Sequence, residues 1–553
     1  MRNHMPAADN RRERYMIEKK RLTACFHHLM LLCILGFFAS GCGSAIPKID
    51  GIAYYVDCTK GNDANPGTSP SKPLGTLSKV NVTVFGPGDG IFFKRGSTCS
   101  GTLHPQGSGV DGKPITLGAY GWGERPTIDG GSAEVAFELR NQQYWEIQDI
   151  EITGGSVFGI HITSDGGAGT LNHFRLTHLV VHDVNGGPVS SKESGLVVLS
   201  SYGSNSILND IVVDDVTAYN TNQWAGIMVT GLGSDYRADP PLLSTNVTIR
   251  NSTVHNVYGD GIVLFGVKNG LIEKSLAYDT GMQPAPQTIG TPNAIWTWMC
   301  HDCIVQYNEA YNTHSPGVDG GAFDVDWGCV NNLYQYNYAH DTDSYCISVF
   351  GAGGLTTSNT IVRYNICSNN GLDSTQANSA GAILLSTWSG GTLDGVQIYN
   401  NTIYWNPVMN SNAIVNQATF TGTKPNSFKN NIVYSTAPWI LFSNTNLMFD
   451  NNLYWYPGDK DTVWLYGDDV YLGFTEYQSK SGQDANSIFA DPMLKDFTYH
   501  EVGMPRTEFT LLKGSPAIDA GTNMDNLGPR DFFGNPTPFG QGYDIGAFEW
   551  QRK

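Results

Sequence analysis

The chain has 553 residues, 40% of them hydrophobic and only 15% charged, with 64 glycines. That is enough apolar material for one large repeat domain or several ordinary ones, and it favours short strands and turns over long helices. A formal charge of −18 sets nucleic acid and anionic membrane surfaces aside as partners, and a polyanionic glycan too unless a metal ion intervenes.

Residues 1–41 read as an address. Arg11, Arg12, Arg14, Lys19, Lys20 and Arg21 form a basic stretch, and an apolar run from Leu29 to Phe38 leads into Ala39-Ser40-Gly41-Cys42. The run is too short to span a membrane and has the make-up of a secretory signal. Small residues directly before a cysteine resemble a bacterial lipobox, which implies lipidation of Cys42 and a short anchor linker over 42–52. The expected location is the bacterial outer membrane or cell surface, held by the lipid alone. Residues 1–41 carry seven Lys or Arg and three Asp or Glu, so their removal takes the net charge to −22.

Seven cysteines follow Cys42, and in an exported protein some are expected to pair. Cys58 with Cys99 is a candidate staple. Cys300 and Cys303 have CxxC spacing without the second pair that zinc requires, so buried thiols or a disulfide are expected there.

Internal repetition sets the architecture. A small residue followed by apolar, variable, apolar, variable begins at Gly159, Gly195, Gly226, Gly261, Ala294, Ala322, Cys346, Ala382 and Ala413, at intervals of 24 to 36 residues. Between these lie strands ending in an aromatic or His and then Asn or Asp, as in Val305 to Asn312 and Tyr334 to Asp341. Two or three short strands per coil, alternating with period two, predict an all-β parallel β-helix solenoid with capped ends. The expected divisions are an N-terminal cap with opening coils over 53–130, the β-helix over 131–455, and a C-terminal cap segment over 456–553.

The stretches Tyr54 to Thr68 and Pro87 to Gly96, with Ser515 to Gly521 and Asp544 to Glu549 at the other end, resemble the first and last segments of secreted right-handed parallel β-helix proteins. Together with the coils they identify the chain as a member of the pectate-lyase-like superfamily. That resemblance implies the fold and carbohydrate chemistry; it spans lyases, hydrolases, epimerases and non-catalytic proteins.

The variable positions of the repeat point outward if the apolar ones point in. The first column reads His161, Val197, Met228, Val263, Trp296, Asp324, Ser348, Leu384, Val415; the second, from the third coil, Thr230, Phe265, Trp298, Asp326, Phe350, Ser386, Gln417. Coils stack about 4.8 Å apart, so two tryptophans sit beside two aspartates. Asp324 and Asp326 lie about 6.6 Å apart along one strand, where two full charges repel by about 2.5 kcal/mol at an effective dielectric near 20. A shared proton, a cation or a substrate would offset this, and the pair is assigned as catalytic. Trp296 and Trp298, with Phe265 and Phe350, offer faces for sugar rings. Asp319, His314 and Asp341 complete the expected binding set, although Asp341 shares its place with Asp183, Asn256, Asp279 and Asn312 in a ladder of structural turns. His301, Asp302 and Glu309 are further acidic or basic neighbours without an assigned partner.

Hydrolysis needs only two carboxylates. A lyase also needs a base and a cation to neutralise a uronate, and between Lys274 and Lys424 the only Lys or Arg is Arg363. The reading is therefore a monomeric glycoside hydrolase on a polysaccharide or oligosaccharide, needing no cofactor. A calcium lyase using Asp319, Asp324 and Asp326, or a glycan-binding adhesive solenoid, are the alternatives.

Overall fold

The repeats stack as coils of a parallel β-helix in the computed structural model, which describes residues 48–187, 189, 191–203, 205–231, 242–282, 290–373, 381–408 and 411–551. Residues 1–41, the expected leader, and Cys42 lie outside the described residues, and no described helix is long and apolar enough to cross a membrane.

Each coil contributes rungs to three faces. Face 1 contains thirteen strands among the described residues, from Val135–Arg140 to Asp469–Leu472. Twelve of them run parallel, and Asp469–Leu472 folds back antiparallel on Val463–Tyr466. Faces 2 and 3 are joined through two 16-residue strands, Gly169–Val184 and Ser206–Thr221. In later coils they separate into short rungs such as Ile304–Gln306 on face 2 and Glu309–Thr313 on face 3. Inward side chains form one continuous apolar core: Ile227, Ile262, Ile295, Phe323, Ile347, Ile383 and Ile414 follow one another up face 1, all essentially buried.

The corner between faces 2 and 3 is written in the Tyr-Asn and Asn-Asn pairs. Tyr307, Tyr336, Tyr364, Asn400 and Asn430 take φ between 51° and 57°, the left-handed region that turns the chain in one residue. The next residues, Asn308, Asn337, Asn365, Asn401 and Asn431, point inward, where each Nδ2 donates to the Oδ1 of the asparagine one coil on at 2.9–3.3 Å. A buried amide with both ends used carries no penalty for its burial, so the ladder fixes the corner.

The ends depart from a simple pair of caps. A short helix, Leu77–Asn81, packs Leu77 and Val80 onto the first coils, and a disulfide joins Cys58 to Cys99. The far end is closed by the strand pair just named and the helix Phe474–Ser481, whose Tyr477 is fully buried. The segment 491–551 is not an end cap: it runs back along faces 2 and 3, where its Arg530 and Asn526 carbonyls accept from the Tyr336 and Tyr399 hydroxyls at 2.9 Å. It covers a stripe of outward tyrosines that water would otherwise meet. Cys346 and Cys367 form a second disulfide that the spacing did not reveal, while Cys300, Cys303 and Cys329 are buried free thiols.

One column assignment requires correction. Val197 pairs with Ile160 and Ile227 and belongs to the interior, whereas Val198 pairs with His161 and Met228 and faces outward. Leu196 to Leu199 are four apolar residues in a row, so alternation there gave no register.

Candidate active site

The two outward columns of face 1 meet in a cleft of about 500 Å³ around the coils of Trp296 and Asp324. Register places Trp296 directly over Asp324, Asp324 over Ser348, and Phe265 over Trp298. Phe265 meets the edges of both tryptophans, at 4.8 Å and 5.3 Å between ring centroids, and Trp298 meets Trp327 at 4.6 Å. Phe350 extends the wall to Trp388 at 5.4 Å. The pattern of the columns did not include Trp327 and Trp388, because both lie just past the rungs, on turns.

The three sequence-predicted aspartates differ in access. Asp319 and Asp326 line the cleft. Asp324 does not: it is 1% exposed, its Oδ1 accepts from the Ser348 hydroxyl at 2.6 Å, and its Oδ2 accepts from Asn293 Nδ2 at 3.4 Å. Asn293 is in turn held by the Tyr345 hydroxyl at 2.8 Å. The carboxylates facing a ligand are therefore Asp319 and Asp326, with Asp324 behind them. Asp319 was legible only as a turn residue; nothing in its spacing announced that the turn folds over the strand.

A fourth carboxylate, Asp260, is fully buried behind Trp296. It accepts from Trp224 Nε1 at 2.5 Å and from the Asn293 backbone N–H at 3.0 Å. Burial is the main reason that all four are hard to ionise. It pushes Asp260 up to about 6 and Asp326 up to about 8, and it raises Asp319. Asp324 is driven well above the carboxylate range by burial and then by the charges of Asp326 and Asp319. Four acids so placed cannot all be charged at neutral pH, and the group holds protons.

Among the described residues, one cation opposes them. Lys192 lies on the cleft wall with its Nζ 5.0 Å from the Trp224 ring and 5.7 Å from that of Trp296, and it donates to the Thr291 hydroxyl at 3.4 Å. Its charge lowers the pKa of Asp260, Asp319 and Asp326. The sequence reading missed it, since it sits four coils away along the chain and returns only in three dimensions. Arg363, the cation that the sequence offered, is elsewhere: on face 2, its Nε donating to Gln335 at 2.9 Å.

The remaining expected contacts separate. Phe265, Phe350, Trp296 and Trp298 line the cleft. His314 lies outside its lining and pairs with Asp343 at 3.2 Å, a contact that raises its pKa against the effect of burial. Asp341 is on face 3, bonded to His340 at 2.8 Å and His500 at 3.1 Å. Asp302 accepts from Asn331 in a turn ladder, and Glu309 belongs to the His340 cluster. No three of the described His, Cys, Asp or Glu side chains group so as to hold a metal ion, and the two oxygens of Asp324 are turned to Ser348 and Asn293.

Comparison with known proteins agrees with this architecture. Residues 209–403 match the family described as a right handed beta helix region, and the fold is a right-handed parallel β-helix. The lacto-N-biosidase of Bifidobacterium longum subsp. longum is 25% identical over 92% of this chain, which spans 37% of that protein's length. A crystal structure of a GH136 lacto-N-biosidase from Eubacterium ramulus superposes with a TM-score of 0.52 at 19% identity, over 70% of this chain and 71% of that one. XylC in complex with xylose superposes with a TM-score of 0.51 at 12% identity, over 91% and 99% of the two chains.

Proposed function

We propose that the protein is a carbohydrate-active enzyme, a glycoside hydrolase that cuts a neutral oligosaccharide in the face 1 cleft. The observation that carries this reading is that Asp319 and Asp326 both line the cleft, in surroundings that raise the pKa of each, with aromatic side chains beside them. Glycoside hydrolysis asks for one carboxylic acid to protonate the leaving oxygen and one carboxylate to act as base or nucleophile. Trp298, Trp327 and Trp388 supply apolar faces for pyranose C–H groups. Asp324 acts as a positioning residue: held by Ser348 and Asn293, it fixes the strand geometry next to Asp326. The lacto-N-biosidase relative supports the choice of hydrolysis and directs the first substrates to be tried.

A second reading gains something from Lys192. A lyase needs a base near a uronate, and a lysine beside Asp319 and Asp326 supplies one. The acidic surroundings oppose it, since they repel the uronate that a lyase must bind.

The test is a digest of neutral and acidic glycans, with a lacto-N-biosyl aryl glycoside among them, by the soluble chain from Gly43 onward. New reducing ends that Asp319→Asn and Asp326→Asn each abolish support the hydrolase. Azide rescue of the alanine variants then tells acid from nucleophile. Ultraviolet absorbance from an unsaturated uronate, or full activity in both variants, overturns it. Secretion with lipid attachment at Cys42 is proposed alongside and is read by mass spectrometry of the N-terminal peptide from membranes.

A further inference from the structure

The columns that carry the cleft hold a second polar stretch nearer the N-terminus. In the first column Glu138 pairs with His161, and in the strand position two residues on Arg140 pairs with Thr163. With Glu134, Asp165 and Tyr202 these side chains line a hollow of about 430 Å³ on face 1. First-column positions in between are apolar, with Val198, Met228 and Val263, and the second column carries no charge there, with Ser200, Thr230 and Phe265. The charged residues of the columns are thus grouped at two places along the face rather than scattered.

The hollow's chemistry narrows its ligand. Arg140 is committed to Asp165 at 2.5 Å, and Asn141 holds the other Asp165 oxygen at 2.7 Å. Glu138 is paired with His104 at 3.1 Å. The His161 ring lies flat on Phe158, with centroids 3.8 Å apart, and its Nε2 has no partner among the described residues. Burial and then the charge of Arg140 push its pKa down to about 4, so the imidazole is neutral at ordinary pH. Three carboxylates against one already paired guanidinium repel an anion. Paired carboxylate and guanidinium groups side by side, next to a neutral imidazole, suit instead a ligand whose neighbouring groups both donate and accept, which is the property of vicinal hydroxyls. The Tyr202 ring offers the apolar face that a sugar also needs.

From His161 to Trp296 the first column climbs four coils, roughly 19 Å at the spacing of stacked strands. Another hollow, of about 450 Å³, lies between: it shares Glu134 and Tyr202 with the first and reaches Ser191 and Glu193, which flank the cleft's Lys192. We propose that the Glu138–Arg140–Tyr202 hollow is a second binding site for neutral glycan, holding part of the chain several sugar units away from the bond that is cut. Its role in cleavage rests on the hydrolase reading; its binding does not.

The experiment is a neutral-glycan microarray probed with the soluble Asp326→Asn protein, alone and carrying Glu138→Gln or Tyr202→Ala. Melting curves confirm that each variant is folded, and the two act on different walls of the hollow. Neutral chains of six or more units should lose at least tenfold in binding in both variants while disaccharides keep theirs. On the active enzyme, the same changes should raise KM for long substrates and leave kcat and short substrates untouched. Binding that ignores both substitutions, preference for acidic glycans, or silence across the array overturns the second site. If cleavage depends on Asp319 and Asp326 but chain length has no effect, the second site alone fails. Chain-length-dependent binding in a protein that cleaves nothing removes the hydrolase alone.

Discussion

Two regions of the solenoid place acids beside aromatic rings, and they use them in opposite ways. On face 3, His182, Tyr219, His255, Tyr278, Tyr311 and His340 stack coil upon coil, with ring centroids 4.7–5.0 Å apart and nearly parallel planes. At the end of the stack His340 is buried between Glu309 at 3.2 Å and Asp341 at 2.8 Å. Asp341 also meets His500, and Glu309 accepts from the Gly503 backbone N–H at 2.7 Å. Opposite charges there find each other, and the result clamps the returning C-terminal segment. At the cleft of face 1, Asp319 and Asp326, with Asp260 and Asp324 buried behind them, meet a single lysine among the described residues, and burial raises the pKa of each. Satisfied charge builds structure, and unsatisfied charge facing a cavity marks chemistry.

The largest difference between the regions should appear in catalysis. Asp326→Asn or Asp319→Asn is expected to cut kcat by about 10²–10⁴, the range for loss of a positioned acid or base. Asp341→Asn should leave kcat unchanged; an equal loss there would erase the distinction. Stability should show the reverse. His340→Leu removes the cation between Glu309 and Asp341 and is expected to cost about 3–5 kcal/mol, measured by denaturant unfolding, whereas Asp326→Asn should raise stability at neutral pH. Lys192→Met comes next. Removing the cation raises the pKa of Asp319 and Asp326, so both limbs of the pH–rate profile should move upward by about one unit. A profile that stays in place would mean that Lys192 only packs on Trp224 and Trp296.

The sequence carried most of the fold and only part of the site, and particular residues show why. Eight of the nine repeats fall in the observed register because one apolar position recurs at each rung, from Ile227 to Ile414. The exception at Val197 lies where that alternation is lost. The columns also brought Trp296, Trp298, Phe265, Phe350 and Asp326 to one cleft, since neighbours on stacked rungs must touch. Turns are different. Asp319, Lys192, Trp327 and Trp388 reach the cleft from loops whose paths no period describes, and Cys346 finds Cys367 across a corner. Asp324 misled for a related reason. Period two gave its direction correctly, but the cover above it, from Asn293 and Tyr345, comes from two other turns.

The smallest effect is a pH slope, and it separates the regions by sign. Asp326 has a folded pKa near 8, above its unfolded value. The stability that this gives is full below the unfolded pKa of about 3.9 and is lost as pH rises through about 8. Asp326→Asn deletes that loss, so its Tm should match the parent's at pH 4 and exceed it increasingly towards pH 9, by up to a few kcal/mol of stability. His340 is raised as well: burial opposes its charge, but the hydrogen bonds to Asp341 and Glu309 prevail. Its contribution is present below about pH 6.5 and fades as pH rises through the folded pKa. His340→Gln should therefore fall furthest below the parent in acid and approach it in alkali. Thermal melts of the two variants from pH 4 to 9 give one curve rising above the parent and one rising towards it. A pH-independent offset for Asp326→Asn would mean that its carboxylate is ionised throughout, and the cleft would then hold no proton to donate.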